Sequence, residues 1–267
     1  MYTIKQVCIT IAAGLFANHR AQQMLQQIVV VANYFMGIGA GAHTSSSGEA
    51  SVLANLGRYG TPPFIIFDVG ANQGQFLRLA LDNIDTTKTQ IHCFEPASTT
   101  FSILSKWYST YKGIKLNKFG LGENSCKATL YFDQPGSGLA SLTQRRLDHF
   151  GINHSEHEVV EIETLDAYCE ANNIDEITLL KIDVEGHELN VLRGATRMIM
   201  KKAIGAITFE FGGCNIDTRT FLQDYWYFFR DNGMRLYRVT PGGYLHPIDN
   251  YKEIMEQMVT TNFVATC

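Results

Sequence analysis

This chain is short of paired cysteines, of basic clusters and of long apolar runs, and each shortage removes a class of protein. The six cysteines, Cys8, Cys93, Cys126, Cys169, Cys214 and Cys267, are scattered with no C-x-x-C pair. That spacing excludes a disulfide framework and a cysteine zinc cluster, and reduced thiols of a cytoplasmic protein are expected. Lys and Arg adjoin only at Arg145-Arg146 and Lys201-Lys202, and the net charge is −4. There is no electrostatic footprint for nucleic acid, so a small-molecule or glycan partner is expected. The apolar run Val7 to Ala17 follows Lys5 in the manner of a secretory signal, but it is too short to span a bilayer. It continues through His19 and Arg20 into Met24, Leu25, Ile28, Val29 and Ala32. The expectation is therefore amphipathic helices packed on the domain, with no integral membrane segment.

What remains is a chain of 267 residues, 45% hydrophobic and 18% charged, which has enough apolar surface for a large core. Residues 1–58 read as a helical extension plus a Gly/Ser-rich loop, and residues 59–267 as one α/β domain. The loop GIGAGAHTSSSGE, Gly37 to Glu49, has no apolar period. It is either a linker or a lid whose His43, Ser45, Ser46, Ser47 and Glu49 reach a ligand. Ser47 or Ser51 is placed to cap a short helix ending near Gly57.

Phe64 to Phe67 is a continuous apolar run of the kind buried on both faces of a parallel sheet. The turn DVGANQG follows. Gly70 and Gly74 permit sharp bending and close approach to a ligand, and Asn72 tolerates positive φ. A helix carrying Phe76, Leu77 and Leu79 inward comes next. The second strand, Ile91 to Phe94, ends in Glu95 and Pro96, about 20 residues after Gly74, the distance expected of an acid that accepts ribose hydroxyls. A pyrophosphate at this turn would be repelled by Asp68, and the glycine order is not G-x-G-x-x-G. The methionine end of S-adenosylmethionine is cationic and suits Asp68. The cofactor set is accordingly Asp68, Gly70, Ala71, Asn72, Gly74, Glu95 and Pro96.

Ile114 to Phe119 reads as a third strand leading to GLGE, where the peptide groups of Leu121 or Gly122 are placed against the adenine. Ala128 to Phe132 and the loop QPGSGLASL break the alternation and suggest an inserted hairpin above the sheet. His149, His154 and His157, with Asp148 and Glu156, are read as a solvated loop, and no metal is expected.

LLKIDVEGHE carries the chemistry of the second half. Leu179, Leu180 and Ile182 form a core strand, so Asp183 and Glu185 emerge at its carboxyl end, where open α/β sheets bind ligands. Gly186 turns the chain into a helix that holds His187 and Glu188 in its first turn and turns Leu189, Leu192 and Ile199 inward. An alkyl hydroxyl has a pKa near that of water, roughly 15.7, so its methylation calls for a general base. Asp183, Glu185 and His187 are the candidates, with Glu210 at the end of the next strand as a further one. For a lone carboxylate here, capping of the helix start is the competing role. Thr220 and Gln223 suggest a capping box for a helix burying Leu222, Tyr225, Trp226 and Phe229. Leu236 to Val239 and Phe263 to Ala265 are expected to pair antiparallel at the sheet edge.

The ordered set DVGANQG, FEP, GLGE, TLD and LKIDVEGHE, with MGIGAG and SGE upstream, resembles the FkbM-like family of S-adenosylmethionine-dependent methyltransferases. The resemblance implies a class I methyltransferase fold: a Rossmann-like, mostly parallel sheet with an antiparallel edge strand and helices on both faces. It also implies that Asp68 to Gly74 and Glu95 hold S-adenosylmethionine, and that a sugar or secondary-metabolite hydroxyl accepts the methyl group. N-methylation, a nicotinamide-dependent oxidoreductase and a silent cofactor-binding partner in a glycan pathway stay open beside it.

Overall fold

A computed structural model describes residues 13–41 and 47–267. The expectations attached to Val7 to Ala12, His43, Ser45 and Ser46 fall outside the described residues.

The chain runs α1 (His19–Met36), α2 (Glu49–Ala54), β1 (Phe64–Val69), α3 (Gln75–Asn83), β2 (Thr89–Phe94), α4 (Ser98–Tyr108) and β3 (Ile114–Asn117). It continues through β4 (Gly120–Leu121), β5 (Cys126–Phe132), β6 (Glu156–Glu163), α5 (Leu165–Ala171) and β7 (Ile177–Ile182). After α6 (Glu188–Arg193), α7 (Thr196–Met200), β8 (Ile204–Phe211), α8 (Cys214–Thr218) and α9 (Leu222–Asp231) come β9 (Arg235–Val239), β10 (Leu245–Pro247) and β11 (Thr261–Thr266).

Eight strands form one sheet in the order β10-β9-β11-β8-β7-β1-β2-β3. The five from β3 to β8 are parallel, and β11 pairs antiparallel with both β8 and β9. The chain leaves β1 toward β2 on one side and returns as β7 on the other, so the strand order reverses between β1 and β7. At such a switch point the connections diverge and leave a crevice above the carboxyl ends of the strands.

Successive side chains of β1 serve opposite layers. Phe67 packs with Phe94, Leu180 and Phe209 on one face, and Ile66 packs with Leu77, Leu104 and Leu179 on the other. Each fully buried side chain of this size contributes about 1.5–3 kcal/mol. Val52, Leu53 and Leu56 join the second layer, so the segment after Ser47 is part of the core. Tyr225 and Phe229 of α9 are core as well, with Phe209 stacked on Tyr225 at 4.7 Å, while Trp226 is half-buried and Tyr227 is exposed.

Several local expectations need correction. Helix α1 does not pack on the domain: it buries no residue and is tied at its end by Asn33 Nδ2 donating to Gln257 and Arg238 Nε donating to the Met36 carbonyl. Helix α9 starts one residue later than Thr220-Gln223 implied, with the Asp224 carboxylate accepting from Phe221 N. Strand β3 stops at Asn117, and Gly120-Leu121 leave the main sheet for a three-stranded sheet, β4-β6-β5. That small sheet contains the expected inserted hairpin, β5 antiparallel to β6.

The single helix expected after His187 is two, α6 and α7, separated at Gly194. A Cβ there would lie 2.0 Å from the Gly122 carbonyl oxygen, so the small sheet and this helix pair touch backbone to backbone. Helix α7 gets its cap from a distance, the Asp166 carboxylate accepting from Arg197 N and Met198 N.

Candidate active site

The turn after β1 is held shut from two directions. Gly70 has φ +78°, and a Cβ would sit 1.8 Å from the Asp183 carbonyl oxygen, so only glycine lets β1 and β7 end this close together. Asn72 is also left-handed, at φ +49°. Its N–H donates to Glu95 Oε2 at 2.9 Å, while Ala97 N donates to Oε1 at 2.8 Å. The Glu95 carboxylate is thus clamped by two backbone amides. Burial pushes its carboxyl up to about 7 against the pull of those two bonds. Asn72 Oδ1 is buried and has no hydrogen-bond partner among the described residues.

Two adjoining cavities open here. The smaller lies between the ends of β1 and β2 and the small sheet, lined by Gly70, Glu95, Pro96, Gly120 and Leu121 with Leu130, Ile162, Glu185 and His187. The larger, about 460 Å³, is lined by Gly70, Ala71, Asn72, Lys181, Asp183, Glu210, Asn262 and, from the N-terminal segment, Gly41 and Glu49. Gly70, Asn72 and Asp183 line both.

Asp68, expected to face a cationic ligand, lines neither cavity. It is fully buried beside its register partner Lys181, Oδ1 to Nζ 3.1 Å, and Oδ2 has no partner among the described residues. Burial alone would lower the Lys181 ammonium, but Asp68, Asp183 and Glu49 outweigh it and hold it above the usual lysine range. Lys181 Nζ also donates to the Gly70 carbonyl at 3.2 Å, stands 3.5 Å from Asp183 Oδ2 and lies over the Phe76 ring. Gly74, an expected cofactor contact, lines neither cavity, and a Cβ there would meet the Tyr108 ring at 2.6 Å. Gly122 also stays outside, its N–H donating to the Glu163 carbonyl, and Gly120 takes the place beside Leu121.

Of the four catalytic candidates, Asp183 stands at the junction, Glu210 faces the larger cavity, and Glu185 and His187 face the smaller. Glu185 is left-handed at φ +54°, and its carboxylate is ion-paired with Arg145 Nη1 at 2.5 Å. Burial and the Asp183 charge push Glu185 up while the guanidinium pulls it down. His187, lowered by burial, shares a 2.9 Å hydrogen bond with the Thr143 hydroxyl. Glu188 is fully buried and structural, accepting from Val184 N, Gly186 N and the Tyr225 hydroxyl. For Glu210, burial with the charges of Asp183, Glu185 and Glu188 holds the carboxyl well above the usual range.

Sequence reading missed the latch formed by the β5–β6 connection. Ser141 Oγ donates to the Glu185 carbonyl at 2.8 Å, and Arg145 bridges Glu185 and Asp217. His154 is buried as the Nε2–H tautomer, donating to the Leu139 carbonyl and accepting from Arg145 N. The doublet Arg145-Arg146 was the visible signal, since the planar fork of arginine suits partly buried ion pairs with carboxylates. Among the described residues, no group of three or more His, Cys, Asp or Glu is arranged to hold a metal.

The FkbM methyltransferase domain matches residues 68–236, which contain the turn after β1, Glu95, Lys181, Asp183 and Glu210. The chain belongs to the FkbM methyltransferase family. S-adenosylmethionine is the cofactor of this family. The chain is 31% identical over 155 residues to Methyltransferase 1 of Beauveria bassiana, a match covering 51% of this chain and 61% of that protein. It is 25% identical over 153 residues to the hexuronic acid methyltransferase AglP of Haloferax volcanii, covering 57% and 58%. It thus spans about three fifths of the length of these relatives. Among solved structures, the methyltransferase FkbM of Methylobacillus flagellatus is similar over 76% of this chain and 43% of that one, with 18% identity and a TM-score of 0.45.

Proposed function

We propose that this FkbM-family protein is an S-adenosylmethionine-dependent O-methyltransferase acting on a hydroxyl of a sugar, glycan or related polyol. The observation that carries this reading is Asp183, one carboxylate lining two adjoining cavities at the sheet's switch point.

The residues present fit the cofactor. Asn72 Oδ1 is a buried acceptor without a partner among the described residues, and the clamped Glu95 carboxylate keeps free lone pairs on the wall of the smaller cavity, where ribose hydroxyls would donate. Leu121, Leu130, Ile162 and Pro96 form an apolar wall suited to a purine. Asp68 acts at one remove: it fixes Lys181, and Lys181 fixes the Gly70 carbonyl and Asp183. S-adenosylmethionine, when bound, supplies an electrophilic methyl group on a sulfonium.

Asp183 is the proton acceptor in this account. An acceptor hydroxyl in the larger cavity donates its proton to the Asp183 carboxylate as its oxygen becomes nucleophilic. Lys181 steadies Asp183 before and after that transfer, because the ammonium keeps Asp68 as a second partner. Glu210, whose carboxyl is held by burial well above the usual range, lines the larger cavity where it can hydrogen-bond a second hydroxyl, and Asn262 lines the same wall. Most of the rate then comes from positioning. The name of the Haloferax relative, a hexuronic acid methyltransferase, supports a sugar acceptor.

Calorimetric titration with S-adenosylhomocysteine and with NAD tests the cofactor half directly. Binding of the first alone is expected; binding of NAD alone, or of neither, contradicts the proposal.

A further inference from the structure

Helix α1 is the one long element that contributes nothing to the core. Its first half is polar, with Gln22, Gln23, Gln26 and Gln27. Its second half is apolar on every side. At 100° per residue, Ile28 and Met36 share one quadrant, Val29 occupies the next, Val30 and Tyr34 the third, and Val31 and Phe35 the fourth. All seven are exposed, with Val30 at 60% and Phe35 at 71%. A surface helix of a globular domain shows one apolar stripe, and a two-helix seam buries one stripe. Apolar residues on all sides need a surrounding apolar medium.

Charge selects the medium. Lys5 and Arg20 are the only Lys or Arg residues before Glu49, and no Asp or Glu precedes Glu49. The chain as a whole carries −4, so the rest is more acidic still. A basic, acid-free apolar segment on an acidic protein is suited to an anionic lipid surface, which attracts the segment and repels the remainder. No described helix is long and apolar enough to cross a membrane, so the fit is to the boundary between headgroups and acyl chains, with the apolar second half immersed and the polar first half, with Arg20, kept at the headgroups.

We propose that α1 docks this protein on an anionic lipid surface. Gly41, five residues beyond the helix, lines the larger cavity, so docking holds that cavity close to the surface.

The test is flotation of the full chain with vesicles of phosphatidylcholine alone and with added phosphatidylglycerol, at low and high salt. The full chain is expected to float with anionic vesicles, less with neutral ones, and to be released by salt. Val30→Asp/Phe35→Asp is expected to lower the bound fraction about tenfold. Both positions are exposed, so unchanged S-adenosylhomocysteine affinity serves as the fold control. No flotation of the full chain, or unchanged flotation of the variant, overturns the proposal. So does light scattering that shows a dimer converted to a monomer by the same substitutions, which assigns the helix to a second copy of the chain.

Discussion

Lys181 and Asp68 face each other across β7 and β1 as register partners, their charges 3.1 Å apart and both side chains buried. Removing one partner strands the other charge in the core. Lys181→Met is expected to lower unfolding free energy by about 3–5 kcal/mol in urea titration. Asp68→Asn/Lys181→Met is expected to recover a large part of that loss, because neither residue of the pair then carries a buried charge. A double variant as unstable as the sum of the singles contradicts this role.

Asp183→Asn keeps the shape of the cavity junction and removes the proposed proton acceptor. Turnover is expected to fall about 10²–10⁴-fold while S-adenosylhomocysteine affinity stays near that of the original protein. Glu210→Ala is expected to raise acceptor KM more than it lowers kcat, because it removes the group placed on a second hydroxyl and leaves Asp183 in place, and Glu210→Gln, which keeps a donor and an acceptor, is expected to retain most of the affinity.

Arg145→Ala opens the latch of the β5–β6 connection on Glu185 and Asp217. The expected outcome is about tenfold weaker cofactor binding and faster proteolysis between Gln134 and Leu147, both followed at constant pH. Arg145→Lys restores charge without the fork and is expected to recover only part of the affinity.

His92 is buried, shares a 2.8 Å hydrogen bond with the Tyr168 hydroxyl, and is pushed by burial down to about 4. The unfolded chain takes up this proton near the usual 6.5 and the folded chain only near 4, so stability is lost as pH falls through that window. The full loss is about 3 kcal/mol. Glu95, pushed up to about 7, has the opposite sign: its contribution is present at low pH and lost as pH rises from 4.5 to 7. Urea titrations at several pH values, with His92→Gln flattening the acid side, separate the two.

The parts of the fold legible in the sequence were those where local pattern and tertiary role coincide. The apolar run before Asp68 had to be a strand buried on both faces, and Asp183 had to follow a core strand at its carboxyl end. Glycine and acid spacing then placed Gly70 and Glu95 in one crevice. Pair partners set by the register of distant strands were not legible. Asp68 looked like a ligand residue because nothing in its neighbourhood announces that Lys181 lies beside it. Glu188 looked like one more acid of the cluster, yet three donors enclose it. The same applies to Arg145, whose partners lie 40 and 72 residues away. Helix α1 misled for another reason: apolar composition states that a surface must be covered, but not by what.

The proposed role of Asp183 is to accept a hydroxyl proton where the two cavities meet. The most direct measurement is transfer of a deuterated methyl group from S-adenosylmethionine to a panel of glycosides, read by mass spectrometry with and without Asp183→Asn. The account predicts an O-methyl product from the unaltered chain and almost none from the variant. Product at equal rates from both, or a label carried only by nitrogen, would contradict it.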